Sequence, residues 1–442
     1  MKWYWWMWGL IAWGLPALAQ GSSGIESRIS RGERLLIVGE ANNEKRQAAA
    51  AIGAREFGQA VARLTASLQR SPDDPEARIY LNNARIGAGR SLGIAVSVPI
   101  GTNLTIAQEI LRGVAQAQQT INQAGGINGV PLRVTIANDD NNPEIVQQVA
   151  ATFVRDGSIL AVVGHNASTA SLAAAPVYQG GQLPMVSPTS DSLQLSNAGS
   201  FIFRTLPPIG DQGRALATHA VQRLQRGRVA VCSAYNDTSA ESFRQEFEKA
   251  LTAVQGTVVP VRCDLSAQGF SPSGIVTQAK QQGAQAVLLC PSVQTIPLAV
   301  LVAAAARGQQ LAVLGSSTMG TLRLNTQGKD AEGMIVSVPW HPRSAPNSPF
   351  MRTATTLWNG NVTWRSANAH DAVVAIATAM RTNPSRSGVQ QAFARENFRA
   401  DGVTGPVSFA RSGDRRGANI ALVRVVASPN TDTGYDFVPV AP

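Results

Sequence analysis

From residue 93 onward the chain alternates short β-branched apolar runs with amphipathic helical stretches, the signature of βαβ units wound on a parallel sheet. Strands are expected at 93–98, 132–137, 159–163 and 185–186, with helices at 106–124, 143–155 and 168–178 between them. A second series follows the segment 201–204. Its strands are expected at 228–232, 258–262, 286–290 and 312–314, and its helices at 211–225, 238–254, 271–282 and 296–307. Two such sets in succession exceed what one compact sheet holds, so the expected fold is α/β with two doubly wound parallel-sheet lobes.

In open parallel sheets ligands sit in the crevice at the carboxyl ends of the strands. Here those positions are 99–103, 139–142, 164–169, 187–191, 232–238, 290–294 and 315–320, and they are dominated by Ser, Thr, Asn, Asp and Gly. Such groups hold a small polar ligand by neutral hydrogen bonds; they do not make a nucleophile with its base. A hydrolase needs a nucleophile, a base and an orienting group. The chain has no G-x-S-x-G elbow, and its four histidines (His165, His219, His341, His370) stand apart in sequence. No two His or Cys sit at metal-ligand spacing. The Asp139-Asp140-Asn141-Asn142 run lacks the later glutamate of a calcium loop and reads as a capped turn before a helix starting at Pro143. No G-x-G-x-x-G or Walker sequence cradles a phosphate, so no enzyme activity and no cofactor are expected.

The other end of the chain sets the compartment. Lys2 is followed by an apolar run to Leu15 and by Ala17-Leu18-Ala19, the layout of a signal peptide (1–19) cut after Ala19. Five of the eight tryptophans lie in this run and say nothing about a binding site. No cysteine follows the cleavage region, so a lipoprotein is not expected, and the mature protein is assigned to the periplasm. The net charge of +10 comes from scattered Lys and Arg without interleaved aromatics, which is solvated surface and not a nucleic-acid footprint.

Between the two ends, 21–42 reads as a mobile lead-in with one short strand at 35–38. Residues 44–88 then have helical spacing. Ala48, Ala51, Phe57, Ala60, Leu64, Ser67 and Pro72 match the spacings of a 34-residue tetratricopeptide unit, and a plain helical hairpin fits the same residues. A third helix starts at Asp74-Pro75-Glu76, with a cap, Pro at N1 and an acid in the first turn. One and a half repeats bury little surface alone, so this segment is expected to dock on the main body or on a partner protein, outside both sheets.

Three cysteines, Cys232, Cys263 and Cys290, fall at the carboxyl ends of neighbouring strands of the second series. With the usual winding Cys232 lies on the central strand and the other two flank it, at a spacing compatible with a disulfide. Cys232–Cys263, a bond to Cys290, and three free thiols all remain open.

Gly113 is followed by residues 121–129 (INQAGGING), Asp139-Asp140 with Pro143, and Val163-Gly164-His165 with Ser168-Thr169. Val186-Ser187-Pro188, Phe203-Arg204-Thr205, Ala331-Glu332-Gly333-Met334 and Val403-Thr404-Gly405 follow in order. With these stretches the chain, from about Leu92 to Gly405, resembles the leucine/isoleucine/valine-binding family of type I periplasmic binding proteins. The segment 81–87 is similar to the helical preface of a cyanobacterial subgroup. The resemblance implies three hinge crossings, near Thr205, Pro339 and Gly405. Lobe I is then 91–205 plus 339–404, lobe II is 206–338 plus 405–442, and 20–90 is the helical preface. It also implies closure of the lobes on a small molecule, an amino acid or related amide, and a permease of an ABC importer as partner. The alternative is a sensor that reports the ligand to a membrane partner without transport.

Family roles carried over by position give Ser168 the ligand carboxylate and place Thr189 near the ligand ammonium. With the strand-end residues, the expected ligand-binding set is Asn103, Asn166, Ala167, Ser168, Thr169, Thr189, Ser190, Asp191, Tyr235, Asp237, Thr238, Ser292 and Ser317. Three of these depart from the family pattern. Ser317 stands where an acid pairs with the ammonium, Ser292 replaces an aromatic, and Asp191 replaces a Thr. Asp191 either restores the missing acid or, with Ser190, caps the next helix.

Overall fold

The computed structural model describes residues 24–320, 328–429, 431 and 434–440, so the segment 1–19, expected as a signal peptide, lies outside the described residues. The first sheet has the order β1-β3-β2-β4-β5-β6, from Ile29–Ser30 (β1), Leu92–Val98 (β2), Leu132–Asn138 (β3), Ile159–Val163 (β4), Met185–Ser187 (β5) and Ile202–Arg204 (β6). All neighbours are parallel except β1, which pairs antiparallel with β3. These strands are buried almost throughout because helices cover both faces, which explains their near-continuous apolar runs.

The second sheet has the order β16-β15-β12-β11-β10-β7-β8. It is built from Arg228–Ser233 (β7), Thr257–Val258 (β8), Ala286–Cys290 (β10), Ala312–Gly315 (β11), Ile335–Val338 (β12), Ala421–Ala427 (β15) and Tyr435–Pro439 (β16). Cys263–Asp264 (β9) also pairs with β7. The single strand expected at 258–262 is thus two pieces, β8 and β9. Pro260 lies between them; it has no N–H to give a ladder, which interrupts pairing with β7. A hairpin of Ala400–Gly402 (β13) and Gly405–Val407 (β14) stands apart from both sheets.

Helix starts follow the capping chemistry. Asn103, Asn142, Asp237 and Ser271 each accept a hydrogen bond from a first-turn N–H of the helix they precede. The helix expected at 211–225 runs as Ile209–Thr218 and loosens into a π turn at His219–Arg223. Gly113, on the helix Leu104–Gln123, is required by close packing: a Cβ there would lie 2.0 Å from the Ser366 carbonyl of the helix Trp364–Met380.

The N-terminal region corrects one expectation. Residues 35–38 form no strand; the Glu76 carboxylate accepts the Leu36 and Ile37 N–H groups instead. The strand of the lead-in is Ile29–Ser30, which closes the edge of the first sheet. Three helices, Asn43–Gly53, Phe57–Arg70 and Pro75–Ile86, belong to neither sheet. They meet around Lys45, fully buried between Asp74 (2.6 Å) and Glu76 (2.7 Å). They dock on the first sheet through Asn83, whose side chain donates to the Val134 and Arg31 carbonyls and accepts from the Val134 N–H. Asn83→Ala leaves these buried backbone groups without partners. It is expected to lower stability by about 2 kcal/mol in urea unfolding.

A second correction concerns 405–416, expected with the second lobe. This segment packs on the first: Phe409 meets Phe203, Phe393 and Phe398, Asp414 pairs with Arg204, and Arg415 donates to the Thr205 carbonyl at 2.9 Å. The aromatic cluster and the buried Arg415 hold it there, so the chain reaches the second sheet only at β15.

Candidate functional site

Where the carboxyl ends of the two sheets face each other, the loops after β4, β5, β7, β10 and β11 enclose a cavity of about 50 Å³. Its first-lobe wall rests on a buried scaffold. His165 Nδ1 lies 2.6 Å from Asp139 Oδ2 and its Nε2 lies 3.1 Å from the Tyr178 hydroxyl, while Ser97 donates to Asp139. The His165 carbonyl accepts the Ser187 hydroxyl at 2.9 Å, which ties the loop after β4 to the end of β5.

The helix Ser168–Gly180 begins at this wall. Its N-cap is Ala167, which has no side-chain acceptor, so its first-turn N–H groups lack the usual capping oxygen. Such a helix start favours a negative group. Ser168 Oγ accepts the Asp191 and Ser192 N–H groups at 3.2 and 3.1 Å, which leaves its own hydrogen free to donate. Thr189 donates its hydroxyl to the Asn166 carbonyl at 2.9 Å.

Asp191 is buried and its carboxyl is pushed up to about 6, chiefly by loss of solvent and further by the Asp237 charge, against the Ser239 hydroxyl and Arg204. It does not cap a helix. Ser192 caps the short turn Leu193–Leu195 by accepting the Gln194 N–H. Asp191 instead accepts a hydrogen bond across the cleft from the Ser239 hydroxyl, and Leu193 N–H donates to Ser242 Oγ at 3.1 Å. The cleft is therefore closed, with direct contacts between the lobes.

Eight of the thirteen expected residues line the cavity: Asn166, Ala167, Ser168, Thr189, Asp191, Asp237, Ser292 and Ser317. Five do not. Asn103 is spent capping its helix, accepting the Ile106 N–H. Ser190 is buried below the wall against Ser171. Tyr235 is exposed and flanked by Arg244 and Arg262. Thr169 and Thr238 sit in first helical turns off the cavity. Ser239, Trp364 and Arg365 line it and were not foreseen; Pro291, Val293 and Thr318, which also line it, lie within the strand-end stretches 290–294 and 315–320. Trp364 and Arg365 follow no strand; they open the helix Trp364–Met380, which returns to the first lobe, and a search of strand ends passes over them. Among the described residues no group of three or more His, Cys, Asp or Glu could hold a metal ion, and no helix is long and apolar enough to cross a membrane.

Two α/β lobes closing on a polar cleft between strand ends define a two-lobed solute-binding protein. Comparison with known proteins gives its family. Residues 93–431 match the periplasmic binding protein family, and the chain belongs to it. The family consists of extracytoplasmic solute-binding proteins. A leucine-specific-binding protein of Salmonella typhimurium is 26% identical over 315 residues, which is 69% of this chain and 82% of that protein. An amino acid binding protein of Pseudomonas aeruginosa is 31% identical over 153 residues, 34% of this chain but only 41% of that protein. Among solved structures, a leucine binding protein of Thermotoga maritima superposes with a TM-score of 0.68 at 20% identity, covering 79% of this chain and 99% of that one. A Rhodopseudomonas palustris solute binding protein in complex with 3,4-dihydroxy benzoic acid has a TM-score of 0.67 at 16% identity, covering 79% and 96%. These two likenesses show the fold.

Proposed function

We propose that this protein is the solute-binding subunit of an ABC importer and that it captures a zwitterionic amino acid in the cleft. The observation that carries the reading is the pairing of the two charges such a ligand brings. The uncapped helix start with the Ser168 hydroxyl suits its carboxylate, and the buried Asp191 suits its ammonium. The names of the leucine-specific and amino acid binding relatives agree with this ligand class. Asp191 then serves in place of the acid that Ser317 lacks, and Thr189, Asn166 and Ser292 complete the polar wall.

In this reading residues 1–19 are a cleaved secretion signal and the protein works in the periplasm, where closure presents both lobes to the permease. Lobe I comprises 91–205 and 339–416, with the third crossing at 417–420. Residues 43–86 are a tetratricopeptide-like preface of the cyanobacterial type, held on lobe I.

The test is a thermal-shift panel on the mature chain with amino acids, amides, urea and hydroxybenzoates. A ligand that binds only the folded state raises stability by RT ln(1 + [L]/Kd), about 2.7 kcal/mol at 100 times Kd. One or more amino acids are expected to raise the midpoint by several degrees. Response only to molecules lacking an ammonium group would overturn the reading.

A further inference from the structure

Arg365 is almost fully buried and lines the cleft cavity. Among the described residues the hydrogen bonds of its guanidinium use one nitrogen: Nη1 donates to Glu109 Oε2 at 3.2 Å and to the Gly320 carbonyl at 3.4 Å. The planar group lies over the Trp364 ring, 4.3 Å from its centroid. Its Nε is buried and has no partner among the described residues. A purely structural role as the counter-ion of Glu109 accounts for Nη1 but leaves Nε–H buried and unpaired, which is costly unless an acceptor arrives.

The wall around it points the same way. Ser239, Ser292, Ser317 and Thr318 line the cavity beside it. The Ser239 hydroxyl is spent on Asp191 and that of Ser292 on Thr295, but a leucine-like side chain would still bury the Arg365 Nε–H without giving it a partner. We infer that Arg365 is a specificity-determining residue, and that the ligand is a short amino acid whose side chain ends in a carboxylate or carboxamide, with an oxygen accepting from the Arg365 Nε–H. This rests on the amino-acid reading above and names the side-chain class within it. Ser168 and Asp191 hold the backbone end of the ligand, and Arg365 reads the far end. Glu109 and Trp364 fix the guanidinium plane in advance, so the ligand meets an oriented donor.

Calorimetric titration of the mature protein with L-aspartate, L-asparagine, L-glutamate, L-glutamine, L-alanine and L-leucine tests this. At least one of the first four is expected to bind about tenfold or more tighter than leucine. Arg365→Lys keeps a cation beside Glu109 but removes Nε–H. It is expected to lower the preference for that ligand over alanine by about tenfold or more. An unchanged ratio overturns the inference. Tighter binding of leucine by the unaltered protein also overturns it, while leaving amino-acid capture intact, and this holds even where Arg365→Lys does not fold. Binding of no amino acid at all removes the underlying reading as well.

Discussion

Asp191→Asn is expected to weaken binding of a zwitterionic amino acid by about 1.5 to 3 kcal/mol, a loss of tenfold to more than a hundredfold, because a hydrogen bond to a charged group is replaced by a neutral one. The same change is expected to favour closure of the empty cleft. In the closed form burial raises the Asp191 carboxyl to about 6, and the Asp237 charge of the other lobe adds to the rise. Closing on an empty, ionised Asp191 is therefore penalised. The sign follows from proton binding. Below pH 4 the carboxyl is protonated whether buried or solvated, and the penalty is absent. Between pH 4 and 6 the closed form holds the proton more tightly, so closure weakens as pH rises, and above pH 6 the full penalty applies. An ammonium group lifts it. The empty unaltered protein is therefore expected to be more compact at pH 5 than at pH 8 by small-angle scattering, and Asp191→Asn compact at both. A ligand without an ammonium group gains from the substitution and a zwitterion loses, so the two classes shift in opposite directions. Unchanged affinity for a zwitterion would remove Asp191 from the site.

Removing the Cys232–Cys263 disulfide is expected to destabilise the second lobe by about 3 to 4 kcal/mol, since the bond closes a loop with a separation of 31 residues. The two cysteines are cross-strand neighbours on β7 and β9, where β9 adds only two residues of ladder. The covalent link thus secures an edge that backbone pairing holds weakly. Cys290, on the other side of β7, is buried and its thiol is pushed well up by loss of solvent, so it is expected to resist alkylation until unfolding. Urea unfolding of Cys232→Ser/Cys263→Ser beside the unaltered protein measures the loss. One alkylatable thiol in unreduced, unfolded protein and three after reduction are expected; three without reduction would exclude the bond.

Local chemistry made much of this protein legible before its structure. Parallel strands buried on both faces must be apolar runs, so β2, β3, β4, β7 and β10 are visible in residues alone, and helix caps such as Asn142 and Asp237 mark their own positions. Cleft walls at strand ends follow from sheet geometry, which is why Asn166, Ser168, Thr189, Asp191, Ser292 and Ser317, all in the cavity lining, could be named. The same rule misled for Asn103 and Tyr235, because lying after a strand does not decide whether a side chain turns to the cleft or to its own helix.

Tertiary structure alone decided what depends on closure between distant segments. It brings Arg365 onto Glu109, 256 residues earlier in the chain, and into the cleft, and it sets Asp191 against Ser239 of the other lobe. It folds 405–416 back onto Phe203, joins Ile29–Ser30 to the edge of β3, and selects Cys263 as the partner of Cys232. Periodicity and capping report interactions within a few residues, and so they specify elements. The partners of a buried charge or an edge strand are set by which elements pack together, and no local pattern carries that information.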